Sequence, residues 1–282
     1  KISEVMPRSE ADKDESQLKV GETILKVNGK PVRPGNDFDR ALNDKVGRTV
    51  TLEVIGTDGK PRTMKIQPQS WGAARALIYE RWYDERKEIV EKASGGRLGY
   101  LHVSGMGDSQ RNRFERELFS TGIQKEGMVL DFRGNNGGDT HDSLLKILSR
   151  TKHYFTFAPR TEAPYPQPER AYTKPTIVLM DEFSLSDAEV FANGYRELGL
   201  GKIVGNTTMG WIIFTSGRGL IDGSFIRTPH LGCFTNDGRD MENWGVPPDI
   251  KVVYTPADFV AGKDTILLRG VEELLKDGRL RK

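Results

Sequence analysis

Short runs of alternating apolar and polar residues, separated by turn residues, fill the first part of the chain. Three of these runs have the two-residue period of half-buried strands: Thr23–Val27, 49–54 and 63–66. Asn28-Gly29 follows the first run and Asp58-Gly59 separates the other two, and both dipeptides are typical of hairpin turns. The pattern therefore predicts a small β-rich domain over residues 1–69.

Two helical patterns accompany these strands. The first begins at Asn36, a residue type that favours helix N-caps, and ends at Asn43. The second runs from Trp71 to Ser94 with its apolar residues near one face. Its aromatic side chains favour packing between domains over a ligand shelf. Residues 70–95 are therefore predicted to be a connecting helix.

After residue 95, apolar strands alternate with amphipathic helices. The predicted strands are Leu98–Val103, Met128–Phe132, Thr176–Met180, Lys202–Gly205 and Ser224–Thr228. The predicted helices are Gln110–Ser120, Asp142–Arg150, Asp187–Leu198 and Asp264–Lys276. This alternation is typical of an α/β domain, which we place over residues 96–282. The proline-rich segment Tyr154–Thr173 is predicted to be a surface excursion.

Charge and composition exclude several classes of protein. The formal net charge is +2 with both signs interspersed, so the sequence has no basic stripe for nucleic acid. No run approaches the roughly 18 apolar residues that a membrane-spanning helix needs. Cys233 is the only cysteine, which excludes an internal disulfide and a thiolate metal cluster.

The start of the chain and its cysteine content bear on location. The chain begins at Lys1 without an initiator methionine or an apolar leader, so we expect a processed chain or a fragment. The single cysteine favours a cytoplasmic location. A periplasmic or secreted parent whose leader has been removed would have the same composition, and that alternative stays open.

Ser186 is the first candidate for chemistry, because it stands between a predicted strand and a predicted helix. Backbone N–H groups at a helix start have no intrahelical partner, and they can bind the negative oxygen of an acyl-transfer intermediate. The N–H of Asp187 is the natural donor. The alternative is structural, since Ser186 with Glu189 three residues later also forms a capping-box sequence.

The glycine-rich segment Leu130–Gly138 is the second candidate, because it leads from a strand into a turn before a helix. Glycines let backbone amides approach a ligand closely. The segment has neither the phosphate-loop Gly-Lys-Ser/Thr sequence nor the dinucleotide fingerprint. The alternative interpretation is a tight connector.

A serine nucleophile needs a base, and the sequence has four histidines: His102, His141, His153 and His230. The position of His102 at the end of a strand favours it, because functional residues gather there in α/β folds. A histidine on a strand is nevertheless commonly structural. A carboxylate must orient the base, and Glu242 becomes a candidate only through the family resemblance that follows.

The segment Leu18–Gly29 resembles a PDZ domain, whose first strand and carboxylate-binding loop would precede Lys1. The rest of the chain resembles the C-terminal-processing serine peptidases, and within them the tricorn core peptidase branch. Five ordered blocks carry this resemblance: Gly99–Val103, Leu130–Gly138, Ser184–Glu189, Gly199–Gly210 and Glu242–Asp249. It implies a crotonase-like or Clp-like α/β spiral behind an N-terminally truncated PDZ-like domain.

The resemblance also implies roles for individual residues. Ser186 would be the nucleophile, His102 the base and Glu242 the group that orients the base. The oxyanion donors would be the amide of Asp187 and that of Gly137 or Gly138. The implied mechanism forms an acyl-enzyme and uses no metal or other cofactor.

Departures from the family pattern narrow the mechanism. Related enzymes use a Ser-Lys dyad, and no lysine occurs in the corresponding stretch 207–212. The tricorn archetype has a helper serine where this chain has Leu101, and a Trp-Gly-Gly turn where it has Met209-Gly210-Trp211. These differences bear on activity and specificity.

The function that follows is hydrolysis of peptides or unfolded polypeptides, by a chain that the resemblance suggests is a homo-oligomer. A non-catalytic peptide-binding or scaffold protein is the alternative from another class, because a fold does not guarantee activity. Hydrolysis of small esters by the same residues is a third possibility.

Overall fold

The structure, a computed structural model, describes residues 1–14, 16–35, 37–158, 163–168 and 170–280. These residues form two compact units, Lys1–Glu85 and Arg86–Lys282. The division falls within the helix Trp71–Ser94, whose bounds are those predicted. The predicted domain limits at residues 69 and 95 stay predictions, and the predicted N-cap Asn36 lies outside the described residues.

The first unit contains one antiparallel sheet. Its elements are β1 (Thr23–Val27), β2 (Lys30–Pro31), α1 (Asp37–Leu42), β3 (Val50–Ile55) and β4 (Pro61–Ile66), followed by α2 (Trp71–Ser94). The strand order is β2-β1-β3-β4. Asn28 and Gly29 make the β1–β2 turn with φ of 49° and 75°, the left-handed pair that their sequence predicts. The buried core is small: Leu18, Val27, Val50, Leu52, Val54 and Met64.

The second unit contains a parallel sheet covered by helices. Its strands are β5 (Leu98–His102), β6 (Gly127–Asp131), β7 (Phe155–Phe157), β8 (Tyr165–Gln167), β9 (Thr176–Met180), β10 (Ile203–Gly205), β11 (Phe214–Gly219), β12 (Phe225–Leu231) and β13 (Ile250–Lys251). Its helices are α3 (Asp108–Phe119), α4 (Thr121–Gln124), α5 (His141–Ser149), α6 (Asp187–Glu197), α7 (Pro256–Val260) and α8 (Thr265–Leu275). The sheet order is β13-β10-β9-β6-β5, and every pairing is parallel.

The two faces of this parallel sheet are covered by different helices. Leu101, Leu130 and Val178 belong to one buried cluster with Phe191 of α6 and Phe114 of α3. Helix α8 contacts β6, β9 and β10, and a Cβ on its Gly270 would lie 2.5 Å from a Leu179 methyl group. Because side chains alternate along a strand, Leu179 lies on the face opposite Val178. The sheet is therefore buried on both faces, as its continuous apolar strands predict.

Two hairpins lie outside this layered core. The β7–β8 hairpin falls in the proline-rich segment predicted as a surface excursion, and its residues are largely exposed. The β11–β12 hairpin is also exposed, and only β12 overlaps a predicted strand. None of the helices in the described ranges has the length and apolar character to cross a membrane.

Candidate active site

Ser186 follows β9 through a turn that is held against the glycine-rich segment. The Ser184 hydroxyl donates to the Phe132 carbonyl at 3.0 Å, and the Leu185 N–H donates to the Asn135 carbonyl at 2.9 Å. Ser184 is fully buried, so these bonds are shielded from water. The turn therefore fixes where helix α6 starts relative to the segment after β6.

Ser186 itself has an unusual backbone conformation, with φ of 59° and ψ of −123°. Side chains rarely adopt this region, and such residues cost about 1–3 kcal/mol. Its N–H donates to Glu189 Oε2 at 2.9 Å, whereas the Glu189 N–H donates to the Ser186 main-chain carbonyl. The Ser186 hydroxyl makes no cap hydrogen bond. Ser186 and Glu189 therefore form the predicted capping box, in which the contact between the Ser186 side chain and the Glu189 N–H falls short of a hydrogen bond.

Gly137 and Gly138 bring the glycine-rich turn close to this hydroxyl. A Cβ on Gly137 would lie 2.6 Å from Ser186 Cβ, 3.0 Å from its Oγ and 3.1 Å from the Asp187 nitrogen. A Cβ on Gly138 would lie 2.2 Å from the Met106 carbonyl oxygen. Only glycine fits at either position, because both also have positive φ.

Some of the backbone N–H groups around Ser186 already have a hydrogen-bond acceptor, and others do not. The Gly137 N–H donates to Asn135 Oδ1 at 2.9 Å. In the part of the chain that the structure describes, the amides of Gly138 and Asp187 have no hydrogen-bond acceptor. Of the two glycines that the sequence left open, Gly138 thus has the available donor.

Glu189 joins Ser186 to the segment Thr208–Trp211. Its buried carboxylate accepts from the Thr208 hydroxyl and the Gly210 N–H, each at 2.6 Å, and from the Trp211 N–H at 2.9 Å. The same Oε2 that binds Trp211 also binds the Ser186 N–H. The sequence predicts a capping role for Glu189, and no local sequence pattern indicates that it also binds Thr208, Gly210 and Trp211.

Glu242 lies on a loop that packs against the same segment. The Asn243 N–H donates to the Gly210 carbonyl at 2.7 Å, and a Cβ on Gly210 would lie 2.9 Å from the Gly245 nitrogen. Glu242 Oε2 is buried and has no hydrogen-bond partner among the residues that the structure describes. An unpaired buried carboxylate oxygen is costly, so this atom is suited to accept an N–H from another group.

His102 is the last residue of strand β5. On β5, Leu101 and Val103 belong to the buried cluster that contains helix α6, so the alternating His102 faces the other side of the sheet. There its Nε2 lies 3.0 Å from the Arg133 carbonyl oxygen. Burial lowers the pKa of His102, although the nearby Asp131 opposes that effect, so the ring is neutral at physiological pH.

His141 occupies a position that the sequence did not single out. Its Nδ1 is hydrogen-bonded to Asp187 Oδ1. The Asp187 hydrogen bond raises the pKa of His141 above its usual value, and partial burial opposes that shift. No side chain of the described ranges is hydrogen-bonded to the Ser186 hydroxyl.

These features can be compared with known proteins. The profile of "Peptidase family S41" matches residues 97–252, which is more than half of the chain. The chain belongs to peptidase family S41. The profile of the "Tricorn protease PDZ domain" matches residues 8–70, so the predicted PDZ-like domain before the S41 domain is confirmed.

The S41 chain has close relatives among proteins named tricorn. It is 29% identical over 262 residues to the "Tricorn protease" of Thermoplasma acidophilum. That alignment covers 92% of this chain and 24% of the Thermoplasma protein. It is 33% identical over 264 residues to a "Tricorn protease homolog" of Saccharolobus solfataricus, with 92% and 24% covered. The chain thus spans about a quarter of the length of these relatives.

A solved structure supports the same assignment. The "Crystal structure of the tricorn protease" matches with a TM-score of 0.77 at 28% identity, over 91% of this chain and 25% of that one. The predicted resemblance to the tricorn branch and the mixed α/β fold with a parallel sheet are both confirmed.

Proposed function

We propose that the chain is a serine peptidase in which Ser186 is the nucleophile. One observation carries this proposal: the Ser186 hydroxyl packs against Gly137, and the amides of the residues that follow each of these two, Asp187 and Gly138, have no acceptor among the described residues. Ser186 Oγ would attack a peptide carbonyl, whose oxygen becomes negatively charged and accepts hydrogen bonds from both amides. A base takes the Ser186 proton during the attack and gives it to the amine as the C–N bond breaks. Water then attacks the acyl-enzyme, the base takes a proton from this water and returns one to Ser186 Oγ, and the carboxylic acid product leaves.

Glu242 is proposed to orient the base in this reaction. Its buried, unpartnered Oε2 provides an acceptor for an imidazole N–H, which would fix the ring and stabilise its protonated form. The family resemblance implies His102, at the C-terminal end of β5, as that base, which would take the Ser186 proton and return it to the leaving amine. The proposal uses no metal or other cofactor at any step.

The proposed substrates are peptides or unfolded polypeptides. The names of the relatives describe proteases, and the nucleophile adjoins apolar surface that suits peptide side chains. Met209, whose N–H donates to the Ser184 carbonyl, and Trp211, which binds Glu189, both have exposed side chains. Comparing turnover of a peptide library with that of small esters distinguishes peptide hydrolysis from esterase activity.

Labelling with a fluorophosphonate probe tests the nucleophile. We expect an adduct on Ser186, located by mass spectrometry, that is absent from Ser186→Ala and retained in Ser216→Ala, a change at an exposed serine on β11. Loss of the nucleophile should reduce peptide turnover on the order of 10⁶-fold. A folded chain without an adduct would support the non-catalytic binding protein instead.

The same probe tests the histidines. If His102 is the base, His102→Ala should abolish labelling, and labelling that persists in this variant would contradict that role. The variant His102→Gln serves as the control for packing, because it keeps a polar side chain of similar length beside the Arg133 carbonyl.

We also propose that the chain forms a homo-oligomer and acts in the cytoplasm. Exposed apolar side chains on the β11–β12 hairpin, among them Phe225 and Leu231, support self-association. The single cysteine supports a reducing compartment. Sedimentation of the purified chain and fractionation of cells that produce the full protein test these two points.

A further inference from the structure

The carboxylate of Asp187 binds the start of helix α5. Its Oδ2 accepts the N–H of Thr140 at 2.8 Å and that of His141 at 3.0 Å, and its Oδ1 is hydrogen-bonded to His141 Nδ1. Only 1% of the Asp187 side chain is exposed, compared with 28% for His141. Asp187 therefore holds together two segments that are 46 residues apart in the sequence.

These two segments supply the two amide donors proposed for the oxyanion. Asp187 contributes its own N–H, and Gly138 contributes the other only two residues before Thr140. Oxyanion donors act over a narrow distance range of about 2.7–3.1 Å. A misplacement of about 1 Å in an active site can cost on the order of 10²-fold in rate. A bond that fixes one segment against the other therefore affects the reaction directly.

We propose that Asp187 and His141 are positioning residues that hold the two oxyanion donors at their working separation, through a pair formed by the Asp187 carboxylate and the protonated His141 imidazole. This inference rests on the proposed function, because it deepens the role of the same site. Neither side chain touches the reacting atoms. The bonds from the backbone N–H groups of Thr140 and His141 do not depend on the charge of the His141 ring, whereas the bond to Nδ1 changes with it.

The sign of the pH dependence follows from the groups that face His141. Asp187, on α6, hydrogen-bonds the ring and raises its pKa. Asp142, on α5, and Asp139, directly after the glycine-rich segment, raise it further. Burial, the charge of Asp240 and that of Asp187 raise the pKa of the Cys233 thiol, so this group also lies near Asp187. A raised pKa means that the charged pair is complete below the ordinary histidine pKa of about 6.5 and is lost as the pH rises through the raised value.

The rate of Ser186 phosphonylation as a function of pH tests this proposal. In the wild-type chain we expect the rate to decline on the alkaline side as His141 loses its proton. His141→Asn places an amide N–H where Nδ1 stood, so it should retain the rate within about 10-fold and lose that decline. Asp187→Ala should reduce the rate about 10²-fold. His230→Asn, at an exposed position on β12, is the matched control and should behave like wild type.

Asp187→Asn gives a second, independent readout. Its amide can still accept from Thr140 and His141, but it donates to a neutral His141 ring, so the preferred charge state is reversed. Histidine NMR titrations should then show that the pKa of His141 is lower in this variant than in wild type, with His141→Asn identifying the resonance.

The outcomes separate this inference from the function it rests on. An inert Ser186 in the wild-type chain contradicts the proposed function and this inference with it. A reactive Ser186 whose alkaline decline persists in His141→Asn contradicts the inference alone, as does an unchanged His141 titration in Asp187→Asn.

Discussion

Arg133 joins two buried carboxylates on the face of the sheet that carries His102. Its Nη2 lies 2.6 Å from Asp131 Oδ2, and its Nη1 lies 2.7 Å from Asp264 Oδ1. Asp264 also accepts the Leu267 N–H as the N-cap of α8. The Tyr100 hydroxyl donates to Asp131 at 2.8 Å. This network attaches the segment that leads to the glycine-rich turn to helix α8.

Removal of the Arg133 charge should destabilise the fold strongly. Arg133→Met leaves the buried Asp131 without its cation and leaves Asp264 with Arg86 at 3.7 Å, and breaking a buried pair typically costs about 3–5 kcal/mol. Urea unfolding at neutral pH measures the loss. Arg218→Met, at an exposed position on β11, is the control and should change the unfolding free energy by less than about 0.5 kcal/mol.

The pH dependence of that loss has a defined sign. Burial alone would raise the pKa of Asp131, but the charge and hydrogen bonds of Arg133 outweigh it and hold the pKa below its usual value. The wild-type chain therefore loses this stabilisation as the pH falls below the unfolded value of about 3.9. The difference in unfolding free energy between wild type and Arg133→Met should become smaller in that acidic range. A difference that does not change with pH would contradict the role assigned to the ion pair.

His102 shows how far a single position can be predicted from sequence. The predicted strand Leu98–Val103 is observed as Leu98–His102, with His102 at its C-terminal end, and the sequence also places Leu101 and Val103 on one face by alternation. That alternation already indicated that His102 faces the other way. The local pattern could not predict on which side of the sheet α6 packs, because that depends on the handedness and order of the crossovers.

At the scale of elements, the glycine-rich turn and helix α6 depend on each other's shape. Gly137 and Gly134 both have positive φ, of 84° and 67°. A Cβ on Gly137 would meet Ser186, whereas a Cβ on Gly134 would have no atom within 4 Å. The two positions therefore separate backbone strain from steric contact with the nucleophile.

Gly137→Ala should reduce Ser186 phosphonylation about 10²-fold, because the new methyl group displaces the hydroxyl and the neighbouring amides. Gly134→Ala should cost stability of about 1–2 kcal/mol through its left-handed backbone and leave the labelling rate within a few-fold of wild type. Labelling rates and unfolding curves for both variants check this. Equal rates in the two variants would show that contact with Ser186 does not limit reactivity.

The success of element prediction followed the strength of the local pattern. Thr23–Val27, Trp71–Ser94 and Thr176–Met180 have the bounds that were predicted, because each has a clear period or a continuous apolar run. Strands β7 and β8 were missed because prolines interrupt their segment, and prolines argue against sheet ladders. Strand β13 was missed because its two residues are too short to show any period.

At the scale of the whole molecule, each of the two units has its own core. In the described residues of the first unit, the apolar core is a small cluster of buried side chains on and around one antiparallel sheet. The second has a larger buried cluster that contains residues of β5, β6 and β9 together with α3, α5 and α6. Stability is therefore expected to be distributed unevenly along the chain.

Leu52→Ala should remove about 2–5 kcal/mol of stability from the first unit, because Leu52 is 1% exposed within β3. Hydrogen exchange should show faster exchange of the amides in β1, β3 and β4. Leu25→Ala removes the same side chain from an exposed position on β1 and should have little effect. Similar exchange in the two variants would contradict the assignment of this core.

The backbone of Ser186 has a consequence for heat resistance. Serine retains there a conformation that glycine adopts at little cost, so selection for thermal resistance alone would favour glycine at this position. Two inactive variants measure the difference: Ser186→Ala keeps a Cβ, and Ser186→Gly releases it. We expect Ser186→Gly to have an unfolding free energy about 1–2 kcal/mol higher than that of Ser186→Ala. Calorimetry of the two variants would measure how much thermal stability is lost because residue 186 has a side chain in this backbone conformation.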